Sequence, residues 1–252
     1  MRVALHQTGE VGARAGRVIL AERELNELGL VDTRPNGTDS RVRPVTDLGD
    51  YDVVVTDSDA PGGIIEQALD RGINCVVWVD FESTMYDAAF RDITSTLVVG
   101  ANLANGITPS LAVHEVARGG EVFDVVTAWT EPGKPLRRGE GVQFPEPVGA
   151  RWARPSSRAR PNALVSPIEG EWAAGLARVT SAGTSGVSTR VVGVADNALH
   201  LESLALASAA LAVASSAYPP GLHHADASAE RFLNRALGAG LDVAAYTVDA
   251  GG

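Results

Sequence analysis

Residues 3–12, with the sequence VALHQTGEVG, decide the fold because they join a short apolar strand to a helix through a glycine turn. Gly9 and Gly12 stand at the last two positions of a G-x-x-G-x-x-G pattern, and His6 replaces the first glycine. Gly9 would let the backbone approach a phosphate group, and Gly12 would let the helix pack close to the strand. The helix N-terminus would add amide donors and a positive dipole. The stretch therefore predicts a strand, a phosphate-binding turn and a helix.

The sequence that follows alternates short β-branched runs with helical patterns, which is typical of βαβ units in a parallel sheet. Each run is almost entirely apolar, as strands buried on both faces are. We predict strands at 3–5, 30–31, 52–56, 74–79 and 96–99, and helices at about 12–28, 64–71 and 109–118.

The pattern changes after Gly119 and Gly120, because no further βα repeat follows them. A strand-like run at 122–129 leads into a segment rich in Pro, Gly and Arg. We therefore predict an α/β fold, with a Rossmann-type parallel sheet and helices on both faces over 1–120. A smaller mixed α+β domain over 121–252 would contact substrate and other subunits, and its last helix could pack back on the first domain. Its predicted strands are 179–180 and 188–194, and its predicted helices are 198–216 and 227–237.

Asp32 is a candidate ligand for the ribose of a dinucleotide. It stands twenty residues after Gly12, at the end of the second predicted strand, where a carboxylate accepts hydrogen bonds from the adenosine ribose. A carboxylate there favours NAD(H), since it would repel a 2′-phosphate, whereas Arg34 could accommodate NADP(H). The alternative is that the two glycines only form a turn and that Asp32 only caps a strand.

Three segments of the first 120 residues carry a family resemblance: GEVG at 9–12, VVTDS at 54–58 and ANLANGI at 101–107. Through them the chain resembles the dihydrodipicolinate reductases and the saccharopine-, diaminopimelate- and homoserine-dehydrogenase-like oxidoreductases. The resemblance implies NAD as cofactor, with NADP as the second candidate, and segments that line its pyrophosphate, ribose and nicotinamide. The implied cofactor-binding residues are Gly9, Glu10, Val11, Gly12, Asp32, Arg34, Thr56, Asp57, Ser58, Asn102 and Asn105.

The chain departs from this family at two places. The histidine-rich H-H-x-x-K-x-D-A-P-S-G-T signature of the reductases is replaced by WTEPGKP at 129–135, which contains no histidine. The glycine turn expected after the fourth strand is replaced by Val79, Asp80 and Phe81. Reduction of dihydrodipicolinate is therefore not expected, and either the substrate differs or the chemistry is absent.

A basic segment follows the first strand of the second predicted domain. Only Glu140 and Glu146 oppose its positive charge, so it would attract an anion such as a carboxylate or phosphate. Lys134 and Arg137 are the candidate catalytic residues, since an ammonium can protonate or polarise a substrate and a guanidinium can bind its carboxylate. A solvated linker or an oligomer contact explains the segment equally well. Its basic residues are Lys134, Arg137, Arg138, Arg151, Arg154, Arg158 and Arg160.

Composition argues against several classes of protein. A formal net charge of −10 is opposite to what general nucleic-acid binding needs. Cys75 is the single cysteine, and His114, His223 and His224 lack ligand spacing, so we predict no metal site and no internal disulfide. His223 and His224 are assigned to a loop. Glu202 interrupts the most apolar stretch, so we predict a buried helix rather than a membrane span, and a cytoplasmic protein without a signal peptide.

Two functional hypotheses follow. The first is an NAD(P)-dependent oxidoreductase that transfers a hydride to or from a small, carboxylate-bearing substrate resembling an amino acid or imine. The second is a noncatalytic dinucleotide-binding or scaffolding protein with a degenerate reductase fold, favoured by the missing histidine motif. We also expect a homo-oligomer, because an Ala-rich helix beside an open sheet often supports dimerisation.

Overall fold

The computed structural model describes residues 1–34, 39–80, 94–130, 140–153, 156–157, 164–165, 171–183 and 186–249, which form two sheets. The helices are α1 (Glu10–Leu20), α2 (Gly62–Leu69), α3 (Thr108–Arg118), α4 (Ala198–Ala214) and α5 (Ala229–Gly238). The first sheet contains β1 (Arg2–His6), β2 (Glu27–Val31), β3 (Val42–Pro44), β4 (Val53–Thr56), β5 (Asn74–Val77), β6 (Thr96–Val99) and β14 (Gly221–His224). The second contains β7 (Glu121–Thr130), β8 (Glu140–Gln143), β9 (Ala150–Ala153), β10 (Ser156–Ser157), β11 (Leu164–Val165), β12 (Trp172–Gly183), β13 (Gly186–Asn197) and β15 (Ala244–Asp249).

The first sheet is parallel throughout, with strand order β14-β6-β5-β4-β1-β2-β3. In register, Leu5 of β1 lies opposite Leu30 of β2 on one side and Val55 of β4 on the other. The order of connection therefore reverses between β1 and β4, where an open parallel sheet has its ligand crevice. This arrangement confirms the predicted α/β fold class and its Rossmann-type sheet.

Helices cover both faces of the parallel sheet, as predicted. Leu5 and Val55 point into the core that contains α1 and α4. Ala4 and Val54, the neighbouring residues in sequence, point into the opposite core with α2. The strands are apolar throughout because their successive side chains are buried on alternate faces.

Helix α4 is buried around its whole circumference, since every residue from Ser203 to Val213 is buried. Its small alanine side chains pack against α1, α5 and the parallel sheet. The predicted buried helix is therefore confirmed. Its alanine face lies in the core of its own chain, so this helix gives no support to the predicted homo-oligomer. Among the described residues, no helix combines the length and apolar character that a membrane span requires.

The second sheet has strand order β15-β13-β12-β7-β11-β9-β8, with β10 paired to β7. Its pairs are antiparallel except for β7 and β11. Ala177 of β12 and Val192 of β13 belong to the same hydrophobic core as α4. The two sheets are thus joined by a shared core, in agreement with a smaller second region beside the parallel sheet.

Several predicted boundaries differ from the structure. Helix α1 ends at Leu20 rather than near residue 28, and Leu28 belongs to β2. Leu25 and Leu28 are buried, but their spacing of three residues imitates one face of a helix. The loop predicted for His223 and His224 is wrong, because both residues belong to β14.

After β13 the chain returns to the parallel sheet. Leu222 of β14 lies opposite Leu97 of β6, and Phe232 of α5 is buried in the core of that sheet. The predicted division at residue 120 stays a prediction, because contacts with the parallel sheet continue well beyond it.

Candidate functional site

The predicted cofactor-binding residues lie along the carboxyl edge of the parallel sheet. The glycine turn follows β1, and the Thr56-Asp57-Ser58 segment ends β4. Asn102 and Asn105 follow β6, and Asp32 and Arg34 follow β2. We call this edge the carboxyl edge. Its nucleotide end, named after the predicted ligand, lies at β2, β1 and β4, and its second end lies at β6 and β14.

The carboxylate of Asp57 occupies the glycine turn. Its Oδ1 accepts a hydrogen bond from the backbone N of Thr8 at 2.6 Å, and its Oδ2 accepts from the backbone N of Gly9 at 2.9 Å and of Gly12 at 2.7 Å. The hydroxyl of Thr8 also donates to Oδ1, at 3.1 Å. Gly9 is the N-cap residue of α1 and offers no side chain, so a carboxylate from a neighbouring strand caps this helix.

The contact explains why glycine stands at position 12. A Cβ built on Gly12 would lie 2.7 Å from the Asp57 carboxyl, whereas one on Gly9 would lie 3.3 Å from Oδ2. Asp57 is only 5% exposed, so a displaced carboxyl would have to leave a buried position. In this structure Gly12 makes room for a carboxylate in addition to starting the helix.

The end of β4 is fastened to β1 through Thr56. The Oγ1 of Thr56 lies 2.9 Å from Nδ1 of His6, the residue that stands at the first glycine position. The same Oγ1 accepts from the backbone N of Ser58 at 3.1 Å, and Oγ of Ser58 accepts from the backbone N of Ala60 at 3.1 Å. Thr56 and Ser58 therefore stabilise the turn that holds Asp57 in position.

While Asp57 is bound to them, the amides of Thr8, Gly9 and Gly12 are not free to donate hydrogen bonds to the pyrophosphate of a dinucleotide. Helix geometry leaves the backbone N–H groups of Glu10 and Val11 as further first-turn donors without an intrahelical acceptor. An anion there would still meet the negative charge of Asp57 close by. The predicted residues of the turn are brought together, but three of their donors already hold an internal anion.

Asp32 and Arg34 are exposed at the end of β2. Asp32 has a positive φ of 54°, a left-handed conformation that aspartate tolerates better than most residues. Val31, the residue before it, pairs with His6 of β1, so Asp32 stands one strand away from the glycine turn. The structure therefore places both side chains at the nucleotide end.

The two asparagines after β6 have different surroundings. Oδ1 of Asn102 accepts from the backbone N of Asn105 at 2.8 Å, and Nδ2 of Asn102 donates to the carbonyl of Trp78 at 2.9 Å. Asn102 thus caps the π-helical turn Leu103–Ile107. Asn105 lines a cavity instead, so of the two it is the one that could contact a ligand.

Glu202, near the start of α4, connects the segments that follow β5 and β6 in the middle of the carboxyl edge. Its Oε2 accepts from the indole Nε1 of Trp78 at 2.7 Å and from the backbone N of Leu103 at 3.3 Å. Burial raises the pKa of Glu202 to about 7, although both hydrogen bonds act in the opposite direction. A half-buried carboxyl that titrates near neutrality is a functional-site candidate as well as a structural one.

A cavity of about 230 Å³ lies at the second end of the carboxyl edge, between it and the second sheet. Its polar residues are Asn105, His224, Asp226 and Thr127, and Trp129 closes it from β7. Among the described residues, Nε1 of Trp129 is buried without a hydrogen-bond partner. The cavity is small, has several polar groups on an apolar wall and suits a small ligand.

Charged groups cluster beside this cavity. Nδ1 of His224 lies 3.8 Å from Oδ1 of Asp80, which follows β5. The pKa of Asp226 is raised by burial, and the charge of His224 only partly opposes this. One imidazole thus stands near two carboxyls, a combination able to hold and move a proton.

Sequence reasoning missed His224 and Asp226 as candidates for the site. His224 ends β14 and Asp226 follows it, and β14 is an edge strand that has no apolar run. For Glu202, which opens the Ala-rich helix with Asn197 and His200, the sequence predicts either a cleft residue or an ordinary capping or solvated residue. The predicted catalytic residues Lys134 and Arg137 lie outside the described residues.

A larger cavity, about 610 Å³, lies away from this edge, between the C-terminal parts of α1 and α5. Oε2 of Glu22 there accepts from Nη1 of Arg235 at 2.9 Å, and Arg17 and Arg23 also line the cavity. It contains none of the predicted site residues, and we do not assign it a function.

Neither a protein-family model nor a curated protein sequence matches the chain. Among solved structures, apo saccharopine dehydrogenase (L-Glu forming) from Saccharomyces cerevisiae is similar, with a TM-score of 0.68 and 11% identity over 98% of this chain and 100% of that chain. A DAP dehydrogenase from C. glutamicum in complex with DAP has a TM-score of 0.53 and 16% identity, over 89% and 92% of the two chains. Dipicolinate-bound dihydrodipicolinate reductase from Paenisporosarcina sp. TG-14 has a TM-score of 0.51 and 11% identity, over 90% and 98%. The predicted resemblance is confirmed at the level of the fold.

Proposed function

We propose that the chain is an NAD(P)-dependent oxidoreductase. It would transfer a hydride to or from a small, carboxylate-bearing substrate that resembles an amino acid or an imine. The fold supports this, because the structurally similar proteins are dehydrogenases and a reductase by name. NAD is the first candidate for the cofactor, since Asp32 would disfavour the 2′-phosphate of NADP.

The observation that carries the proposal is the cavity beside β14. Asn105 would donate a hydrogen bond to the substrate carboxylate, and His224 would add positive charge when protonated. Asp226, whose pKa is raised by burial, would exchange a proton with the substrate nitrogen. Lys134 and Arg137 remain predictions as further groups for the substrate.

A second candidate function is a noncatalytic dinucleotide-binding or scaffolding protein. The missing histidine motif favours this candidate, and the contact of Asp57 with the glycine turn favours its scaffolding form, because the turn is complete without a ligand. A cavity with polar groups at the other end of the same edge favours the enzyme, and we therefore place the enzyme first.

The test is a turnover screen of amino acids and of the corresponding imines, with both NADH and NADPH and their oxidised forms. Turnover with one substrate class supports the oxidoreductase. Binding of a dinucleotide in calorimetry without turnover supports the second candidate. If neither NADH nor NADPH binds, both candidates fail.

The remaining proposals concern partners and location. We propose an anionic small-molecule substrate, a homo-oligomer, a cytoplasmic location, and no nucleic-acid or membrane partner. Light scattering after size-exclusion chromatography would measure the number of subunits directly.

A further inference from the structure

The geometry of the glycine turn points to a regulatory role for Asp57. We infer that its carboxylate is an internal competitor of the phosphate groups of a dinucleotide, which can reach the inner amides of the turn only when Asp57 withdraws. The inference deepens the proposed function, on which it rests, because it concerns the affinity of the same site for its cofactor.

Asp57 is chemically similar to the phosphate groups of a dinucleotide. A carboxylate and a phosphate both present oxygen acceptors with negative charge, which the N-terminus of a helix favours. Asp57 reaches the backbone N of Thr8, Gly9 and Gly12 at 2.6–2.9 Å, the distances of charge-assisted hydrogen bonds. Asp57 therefore takes the place that a phosphate group of a dinucleotide would have at this helix.

A phosphate group can bind at these amides only by exchange with Asp57 or beside it. Withdrawal of Asp57 leaves three backbone donors without an acceptor, which is unfavourable unless an incoming anion takes its place. An anion that binds while Asp57 stays would meet a like charge at short range. Both routes lower the affinity of the unmodified chain for phosphate groups, compared with a turn that holds no internal carboxylate.

The neighbouring acid provides a matched control. Asp59 follows Asp57 by two residues in the same connection but is exposed to solvent. Its removal changes the net charge of the chain by the same amount without affecting the hydrogen bonds of the turn. A general electrostatic effect would appear in both variants, and competition for the amides only in the variant of Asp57.

The experiment is calorimetric titration of the full chain and of the Asp57→Asn, Asp57→Ser and Asp59→Asn variants with inorganic pyrophosphate, ADP and NADH. We expect Asp57→Asn and Asp57→Ser to bind pyrophosphate and ADP about tenfold more tightly than the unmodified chain or more. Asp59→Asn should stay within about twofold, since exposed charges are screened. Equal affinities of the Asp57 variants and the unmodified chain would overturn the inference.

The affinity of the unmodified chain for pyrophosphate provides a second test, which does not depend on the folding of the Asp57 variants. If neither Asp57 variant folds, tight binding of pyrophosphate by the unmodified chain, with a dissociation constant of about 1 μM or below, would still overturn the inference. Weak binding, at about 1 mM, would support it. Circular dichroism and urea unfolding would establish beforehand which variants are folded.

The proposed function fails separately from this inference. Tighter binding of pyrophosphate and ADP by Asp57→Asn, with no binding of NADH or NADPH by any variant, would retain the competitor and refute the oxidoreductase. Turnover by the unmodified chain with no gain in phosphate affinity in either Asp57 variant would retain the oxidoreductase and refute the competitor.

Discussion

The two ends of the carboxyl edge differ in whether their polar groups already have partners. At the nucleotide end, backbone donors of the glycine turn bind Asp57, and Thr56 binds His6. At the second end, Asn105 and His224 line a cavity, and among the described residues the indole Nε1 of the adjoining Trp129 has no partner.

The difference indicates how each of the two ends would bind a ligand. A turn whose donors are occupied binds a new anion only by exchange, which lowers affinity and makes it sensitive to one residue. The cavity can add hydrogen bonds from Asn105 when a ligand enters, while its His224 already lies near the carboxyl of Asp80. The second end is therefore better prepared for binding than the nucleotide end, although two of the three sequence motifs lie at the nucleotide end and only ANLANGI at 101–107 lies at the second.

The strongest test of the second end is His224→Gln. Because the imidazole would supply charge and proton transfer in the cavity, we expect turnover to fall by a factor of about 100 or more with stability nearly unchanged. His223→Gln is the control, since the ring of His223 lies 2.9 Å from the carbonyl of Pro219 and does not line the cavity. Equal turnover in both variants would contradict the assignment of the cavity as a catalytic site.

Gly12→Ala tests the nucleotide end. The added methyl group would lie within 2.7 Å of the Asp57 carboxyl, which would have to leave a buried position and three backbone donors. We expect the free energy of unfolding in urea to fall by about 2–3 kcal/mol. Gly63→Ala, in the first turn of α2 with no atom within 4 Å of its Cβ, should be neutral or slightly stabilising. Equal stability of the two variants would show that Asp57 moves aside freely.

Glu202→Gln tests the middle of the edge through its pH dependence. The pKa of Glu202 is raised from 4.5 to about 7 in the folded chain, so the native state retains a proton that the unfolded state releases. The unmodified chain therefore loses stability as the pH rises from about 4.5 to 7, whereas glutamine does not titrate. The side chain is half-buried, so solvent screens part of this effect. We therefore expect the free energy of unfolding of the variant to rise by about 1–2 kcal/mol relative to that of the unmodified chain between pH 5 and pH 8. If the free energy of unfolding changes by the same amount between pH 5 and pH 8 in the variant and in the unmodified chain, the raised pKa is contradicted.

The parallel sheet could be predicted because its inner strands are buried on both faces. The residues Val53 to Thr56 and Thr96 to Val99 are almost entirely apolar and fully or nearly fully buried, so composition alone locates them. Strand β14 could not be predicted in this way, because an edge strand has a single neighbour and its sequence ends in two histidines.

The candidate site could be predicted only in its local parts. The glycine turn and the Thr56-Asp57-Ser58 segment are visible as motifs, and both lie at the nucleotide end. That Asp57 binds Gly12, 45 residues away, depends on the pairing of β1 with β4 and on side-chain direction. His224 joins Asn105 only because α4 returns the chain to the first sheet, a long-range event that no local pattern encodes.

Asp32→Asn has the smallest expected effect. It tests whether Asp32 contacts the adenosine ribose of a dinucleotide. Asparagine tolerates the left-handed backbone at this position, where φ is 54°, so the fold should be unaffected. Loss of the negative charge should raise the affinity for NADPH relative to NADH by about tenfold, because the carboxylate no longer repels a 2′-phosphate. Asp59→Asn should leave the ratio of the two dissociation constants unchanged. An unchanged ratio in Asp32→Asn would instead support the simpler interpretation of Asp32 as a strand-end residue, and would leave the cavity beside β14 as the better supported half of the site.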